Sequence, residues 1–358
     1  MTYNYIYKMT RKKISIIKAI PIGIKSLITK GPIDTYRRVK RYRRKSSMPL
    51  PTFVQIEVTT LCNFKCVTCS RESLPLTRLN KSVNPIVIDR LLEQLPDLQE
   101  IKLQGLGEPL MTPGIDDIIK TIRTRNPHVR ILTVTNGSLL TLKKYREIAL
   151  SVDDLRISFD SSNAENFEKI RVNSRYSRIM EGVKLLSKER TATNSNTHIA
   201  IDFVATHLNY NEILDLEKIA VSLQIDEVGV NEVQNWYIHS QKEYLSESKF
   251  IDEARKHSAD IKKNVSVLKN KLKPYGIKVV SLDSSPMKYD CTWPFSGTFI
   301  TSDGFVTSCC IRMDPEANNF GNIFEEDFRN IWNNEKYREF RTALILGKNN
   351  GVCDNCPN

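Results

Sequence analysis

The sequence predicts an α/β fold: a partial (β/α)6 barrel of the TIM-like kind, with a small C-terminal domain built from a β-hairpin and a helix. Three observations carry this. Six runs rich in β-branched and apolar residues alternate with helical stretches between residues 53 and 233. The polar motifs that stand out fall at the carboxyl ends of those runs, where such barrels keep their chemistry. Past about residue 238 the alternation stops, and five of the eight Cys lie beyond residue 290.

Pro49 and Pro51 precede the first strand, FVQIEVT at 53–59. DRLLEQL (89–95) reads as helix, EIKLQG (100–105) as strand and GIDDIIKTIRTR (114–125) as helix. RILTVTN (130–136) is the third strand, followed by a helix near 141–150. LRISFD (155–160) is the fourth, and 164–188 is largely helical. HIAIDFVAT (198–206), a helix at 211–223 and DEVGVNEV (226–233) complete the barrel. The apolar runs suit strands buried on both faces. The chain therefore divides into a basic extension (1–50), the barrel (51–237), a charged helical linker (238–284) and a small domain (285–358).

The composition, 40% apolar and 26% charged over 358 residues, excludes wholesale disorder. No run of 18 apolar residues exists, which excludes a spanning helix. Eight Cys in this length are too few for a disulfide scaffold. The net charge of +12 is local: residues 1–45 hold 14 Lys or Arg against one acid, Asp34, leaving the rest of the chain at −1. Within that tail, Lys18 and Lys25 interrupt the isoleucine-rich stretch at 10–30, and Pro21 and Gly23 break its helical continuity. Split lysines and the lack of a small-residue cleavage site argue against a secretion signal. Three readings stay open for the tail: contact with an anionic membrane surface, a solvated extension and, with least support, nucleic acid binding. Reduced thiolates and low oxygen point to the cytoplasm, with the tail able to reach the inner face of the membrane.

Cys62, Cys66 and Cys69 follow the first strand with spacing C-x3-C-x2-C, and no His stands nearby to complete a zinc site. Iron–sulfur clusters are normally held by four thiolates. Three without a local fourth suggest a [4Fe–4S] cluster with one iron open to a ligand. With this motif the chain resembles the radical S-adenosylmethionine (SAM) enzymes, whose signature is C-x3-C-x-aromatic-C after the first barrel strand. Thr68 departs from the aromatic position. The resemblance covers roughly residues 50–235 and extends to Gly105-Leu106-Gly107-Glu108-Pro109 at the end of the second strand. It implies SAM contacts from Gly107, Glu108 and Pro109, from Asn136 in the Thr135-Asn136-Gly137 motif that ends the third strand, and from Ser158 and Asp160 after the fourth. It implies further contacts from Arg171 to the SAM carboxylate and from the Gly229 backbone to adenine. The family's chemistry is one-electron cleavage of SAM to methionine and a 5′-deoxyadenosyl radical, which abstracts hydrogen from a substrate C–H bond.

In the last segment, Ser302-Asp303-Gly304 marks a β-hairpin turn that brings Cys291 and Cys309 to one end. Cys353-Asp-Asn-Cys356 closes the chain. Cys291, Cys309, Cys353 and Cys356 make four thiolates, enough for zinc or for a second cluster. The segment resembles the SPASM/twitch extensions of radical SAM enzymes, which implies an auxiliary [4Fe–4S] cluster on those four. Cys310 is left over. It reads as a small buried hydrophobe, as a ligand in place of Cys309, or as a thiol that returns a hydrogen atom to a substrate radical. The resemblance implies two outcomes, oxidation (dehydrogenation) or epimerisation, with an electron donor such as flavodoxin or ferredoxin. The 50-residue tail does not look like a leader-binding domain, which favours a sugar, aminocyclitol or lipid-linked glycan as substrate over a peptide. A non-catalytic electron-transfer module is the reading of another class.

Overall fold

The structure is a computed structural model that describes residues 48–233, 250–282, 291–346 and 352–353. The basic tail, part of the linker, and Cys356 lie outside the described residues. The chain forms two compact units, one of residues 50–332 with 355–358, the other of 1–49 with 333–354.

The first unit is built on one nine-stranded sheet. Its strands are β1 (Phe53–Ile56), β3 (Glu100–Leu103), β4 (Arg130–Thr135), β5 (Asp154–Ser158), β7 (His198–Ala205), β8 (Glu227–Glu232), β9 (Lys278–Leu282), β10 (Gly297–Ile300) and β11 (Val306–Thr307). A separate ladder joins β2 (Lys65–Cys66) to β6 (Arg171–Val172). Strands β1, β3, β4, β5, β7 and β8 run parallel in sequence order, as the alternation predicts. Three further strands extend that row. β9 pairs parallel with β8 on one edge. β10 pairs parallel with β1 on the other, Phe53 opposite Gly297, and β11 folds back antiparallel on β10 as the Asp303-Gly304 hairpin.

Helices α1 (Ile86–Gln94), α2 (Ile115–Arg125), α3 (Lys143–Ala149), α4 (Ala164–Ile170), α5 (Tyr176–Thr193), α6 (Leu216–Ser222) and α7 (Ser258–Leu272) come between strands. α2 shows the local logic. Ile115, Ile118, Ile119 and Ile122 make one buried stripe, while Asp116 and Asp117 open the helix and Arg123 and Arg125 close it, matching its dipole. The helical stretch predicted at 164–188 breaks at Arg171–Val172, where the chain turns extended to pair with β2.

Strands β1, β8 and β10 are buried on both faces over most of their length, whereas β3, β4, β5 and β7 are half-exposed on one. Val54, Ile56, Ile101, Leu103, Ile131, Leu155, Ile157, Ile201, Phe203, Val228 and Val230 line one face at full burial. The other face alternates with them and carries Gln55, Lys102, Arg156, Ser158, Asp202 and Glu227. On it Arg156 holds Asp202 through two bonds of 2.8 and 2.7 Å and Glu227 at 3.0 Å. A sheet with an apolar outer face and a charged inner face leaves that inner side for function. Among the described residues no helix is long and apolar enough to cross a membrane.

In the second unit, α10 (Glu335–Leu346) follows α9 (Phe328–Asn333), whose last residue begins this unit. There Met48 N donates to Asn333 Oδ1 at 2.8 Å, and Arg341 stacks over Tyr337 at 3.7 Å.

Candidate functional site at the strand ends

The cysteine loop is tied to three strand ends. Beyond β1 the chain stays buried through Thr59 and Thr60. Thr59 Oγ1 accepts from Leu61 N at 3.0 Å and donates to Lys81 O at 2.9 Å, which fixes the start of the loop. Cys66 lies in β2 opposite Arg171, and Val67 N donates to Ile170 O at 2.9 Å. Cys69 N donates to Cys66 O at 3.1 Å, turning the loop back on itself. Arg71, buried behind it, donates from Nε to Thr60 O at 2.5 Å.

The turn after β3 braces this loop. Gly107 N donates to Thr59 O at 3.0 Å and Glu108 N to Leu61 O at 2.8 Å. A Cβ on residue 107 would lie 2.5 Å from Thr59 O and 2.6 Å from Leu61 O, both rigid backbone. Gly107→Ala must therefore push the two turns apart, and its expected cost is about 1–3 kcal/mol, read as a lowered unfolding midpoint. Glu108 is buried and caps the turn Pro109–Met111, accepting from Leu110 N at 3.1 Å. It also accepts from Thr135 Oγ1 at 2.7 Å and Asn136 N at 2.6 Å. Pro109 heads that turn, where a missing N–H costs nothing. Asn136 completes the junction: its Nδ2 donates to Asn63 Oδ1 at 2.9 Å and to Cys62 Sγ at 3.8 Å.

Burial raises the Glu108 carboxyl to about 7, against the lowering effect of the bonds from Asn136, Thr135 and Leu110. Its folded pKa thus exceeds its ordinary value of 4.5. Between the two the unfolded chain loses this proton first, so Glu108 lowers stability as pH rises through that window. A cationic ligand gains from the opposite change. Were the ammonium group of SAM to pair with this carboxylate, its affinity would rise by about tenfold from about pH 6 to about pH 8. Equilibrium dialysis checks this, and Glu108→Gln should flatten the profile.

At the end of β5, Ser158 is half-exposed in register with Asp202. Asp160 is fully buried, and its Oδ1 accepts from Val204 N at 2.9 Å. Its Oδ2 faces Arg171 Nη2 at 2.7 Å, an ion pair with side chains 1% and 8% exposed. Burial alone would lower the Arg171 guanidinium, but Asp160 and Cys66 hold it above its ordinary range. Gly229 lies mid-strand on the inner face of β8, where a Cβ would fall 2.3 Å from Asp202 Oδ1 and 2.9 Å from Arg156 Nη2. The missing side chain makes room for that ion pair.

At the hairpin, Cys291 precedes a helical turn, α8 (Trp293–Ser296), and Cys309 follows β11. Cys310 packs with Leu106 and Leu79 against Leu74, Phe299 and Met313. Burial pushes its thiol to about 12, with Cys309 and Cys291 adding to the rise and Lys102 opposing it. Cys353 belongs to the other unit.

The family model of the radical SAM superfamily matches residues 56–216, and that of an iron–sulfur cluster-binding domain, SPASM, matches residues 291–357. The chain belongs to the radical SAM superfamily. Among relatives of this radical SAM protein, a GTP 3′,8-cyclase of Helicobacter pylori is 28% identical over 62% of this chain. The match spans 64% of that relative's own length. An AdoMet-dependent heme synthase of Methanosarcina barkeri is 25% identical over 85% of this chain and 88% of its own. Streptococcus suis SuiB bound to its precursor peptide SuiA shares the fold at a TM-score of 0.67 and 15% identity, covering 86% of this chain and 71% of SuiB.

Radical SAM and SPASM domains imply SAM and [4Fe–4S] clusters as cofactors. The cysteine loop fits a cluster. Cys62, Cys66 and Cys69 are not joined by a disulfide. Burial lifts the Cys66 thiol to about 12 and raises the other two; Cys69 and Cys62 add to the rise at Cys66, and Cys62 to that at Cys69, while Arg171 and Arg71 oppose it. Three crowded, desolvated thiols need a bound cationic centre to exist as thiolates. Among the described residues no three His, Cys, Asp or Glu gather as ligands of one metal ion. A cluster does not require that, because its thiolates bind different irons.

The structure thus brings Cys62, Glu108, Pro109 and Asn136 into one bonded junction, and Cys66, Asp160 and Arg171 into another. Thr135, the first residue of the Thr135-Asn136-Gly137 motif, belongs to the first junction, and so does Asn63, which the sequence did not single out. Asn63 fills a variable position of the cysteine motif and so carries no sequence signal.

Proposed function

We propose that this radical SAM enzyme binds SAM and a [4Fe–4S] cluster at the cysteine loop, with Cys62, Cys66 and Cys69 as cluster ligands. The observation that carries the reading is the bonded run Glu108–Asn136–Cys62, which joins a buried carboxylate to the cluster loop. When bound, the cluster and SAM supply one-electron cleavage and a carbon radical. Glu108 receives the ammonium group of SAM, and Pro109 and Gly107 hold Glu108 against the loop. Ser158 offers its hydroxyl to the ribose, and Asp160 keeps Arg171 fixed beside Cys66. The charged inner face, with Lys102, Arg156, Asp202 and Glu227, lines the side from which a polar substrate approaches. Cys291, Cys309, Cys353 and Cys356 would hold the auxiliary cluster. Cys310, packed like Leu106 against Leu74, Phe299 and Met313, would give its thiol hydrogen to the substrate radical, the thiyl radical left behind being reduced by one electron from the electron donor.

The reaction we infer is hydrogen abstraction from a C–H bond of a sugar, aminocyclitol or lipid-linked glycan, ending in oxidation or epimerisation, with a flavodoxin or ferredoxin as electron donor. A polar inner face supports a hydroxyl-rich substrate. The decisive experiment incubates reduced, reconstituted protein with SAM and deuterated candidates and follows deuterium into 5′-deoxyadenosine. Transfer from a glycoside supports the reading; transfer from a peptide alone sinks it.

A further inference from the structure

We propose that Asn209, with Glu212 one turn later, is a positioning residue for the SAM site, acting through Asp160 and Arg171. Asn209 follows β7 and is fully buried at the head of the 3-10 turn Tyr210–Asp215. Its amide is fully used. Nδ2 donates to Asp160 O at 2.6 Å and to Val204 O at 2.9 Å. Oδ1 accepts from Thr206 N at 2.7 Å and from Thr206 Oγ1 at 3.1 Å. Val204 is also the residue whose N–H holds Asp160 Oδ1. One amide therefore fixes both the backbone of Asp160 and the strand that aims its carboxylate.

Glu212 holds the next stretch of the same loop. Its Oε2 accepts from Ser161 Oγ at 2.5 Å, Ser162 N at 2.7 Å, Ser162 Oγ at 3.1 Å and Asn163 N at 3.2 Å. Its Oε1 accepts from Asn166 Nδ2 at 2.5 Å. The loop from 160 to 163 thus hangs from two side chains of another segment. Beyond it stands Arg171, paired with Asp160 and laddered to Cys66. Slack at Asn209 is passed to the guanidinium beside the cluster loop. Only an amide meets this site, since it presents two donors to carbonyls and one acceptor to donors. Alanine leaves two buried carbonyls unpaired.

The inference rests on the assignment of Asp160 and Arg171 to the SAM site, and the test separates the two. Reconstituted, reduced full-length protein is titrated with SAM, reading the dissociation constant by equilibrium dialysis and the SAM-induced change in the EPR spectrum of the reduced cluster. Asn209→Ala and Glu212→Ala, at wild-type iron content, are expected to weaken SAM by about tenfold and to leave the EPR change incomplete, from the loss of several buried hydrogen bonds. Glu212→Gln keeps an acceptor oxygen toward the serines and should restore binding close to wild type. A role confined to folding would lower the unfolding midpoint and leave SAM affinity alone. Should the alanine variants not fold, Thr206→Val decides, since it removes one bond that orients Asn209 and is expected to weaken SAM by about threefold. SAM affinity within about twofold of wild type in the folded variants overturns the proposal. Wild-type protein whose EPR spectrum ignores SAM overturns the site assignment and the proposal with it.

Discussion

Changing Cys62, Cys66 and Cys69 together to Ala is expected to reduce 5′-deoxyadenosine formation to the level of a control without protein. The loop is shaped around these thiols. Cys66 is held in the β2–β6 ladder, Cys62 accepts from Phe64 N at 3.5 Å and from Asn136, and Cys69 is bonded back to Cys66. None of these contacts holds up the core of the sheet, so the variant should stay folded while its iron falls by one cluster's worth per chain. Iron assay, circular dichroism and product analysis on one preparation separate loss of the cluster from loss of the fold. SAM cleavage retained by the triple variant excludes the radical mechanism.

The second large effect belongs to the buried pair Asp160–Arg171. Asp160→Asn keeps the shape and keeps an oxygen for Val204 N, but removes the charge facing the guanidinium. A buried cation left without its partner costs about 3–5 kcal/mol. In a unit of this size that corresponds to a fall of roughly 10 °C in unfolding midpoint. Asp160→Leu combined with Arg171→Met removes both charges and should recover most of the loss, because desolvation of the pair consumes much of its attraction. A midpoint within about 2 °C of wild type for Asp160→Asn would show the pair to be solvated, contrary to its burial. The double variant should still fail to bind SAM tightly, which distinguishes stability from function.

Part of this site is legible in the sequence because its signals are local. The C-x3-C-x2-C spacing needs one loop, and Glu108 and Asn136 stand out as polar residues just past β-branched runs. The six parallel strands are legible for the same reason: each announces itself within a few residues. What the sequence does not announce is pairing across distance. β10 joins β1 through Phe53 and Gly297, more than two hundred residues apart, and no local pattern marks either as a partner. Arg171 reads as helix because Ala164–Ile170 before it is helical, yet the ladder with Cys66 wins over propensity there. The inner face reads as apolar because its polar members are diluted among valines and isoleucines. Only the register Ser158–Asp202–Gly229 shows them side by side. Asn209 and Glu212 lie in what looks like an ordinary polar turn, and their value comes from the loop they reach.

The account stands or falls on whether the cysteine loop carries a cluster that cleaves SAM. The direct measurement uses wild-type protein, reconstituted with iron and sulfide under anaerobic conditions, reduced, and mixed with SAM. The expected result is a brown protein that releases methionine and 5′-deoxyadenosine in equal amounts. A protein that stays colourless, or a brown one that leaves SAM intact under reduction, contradicts it.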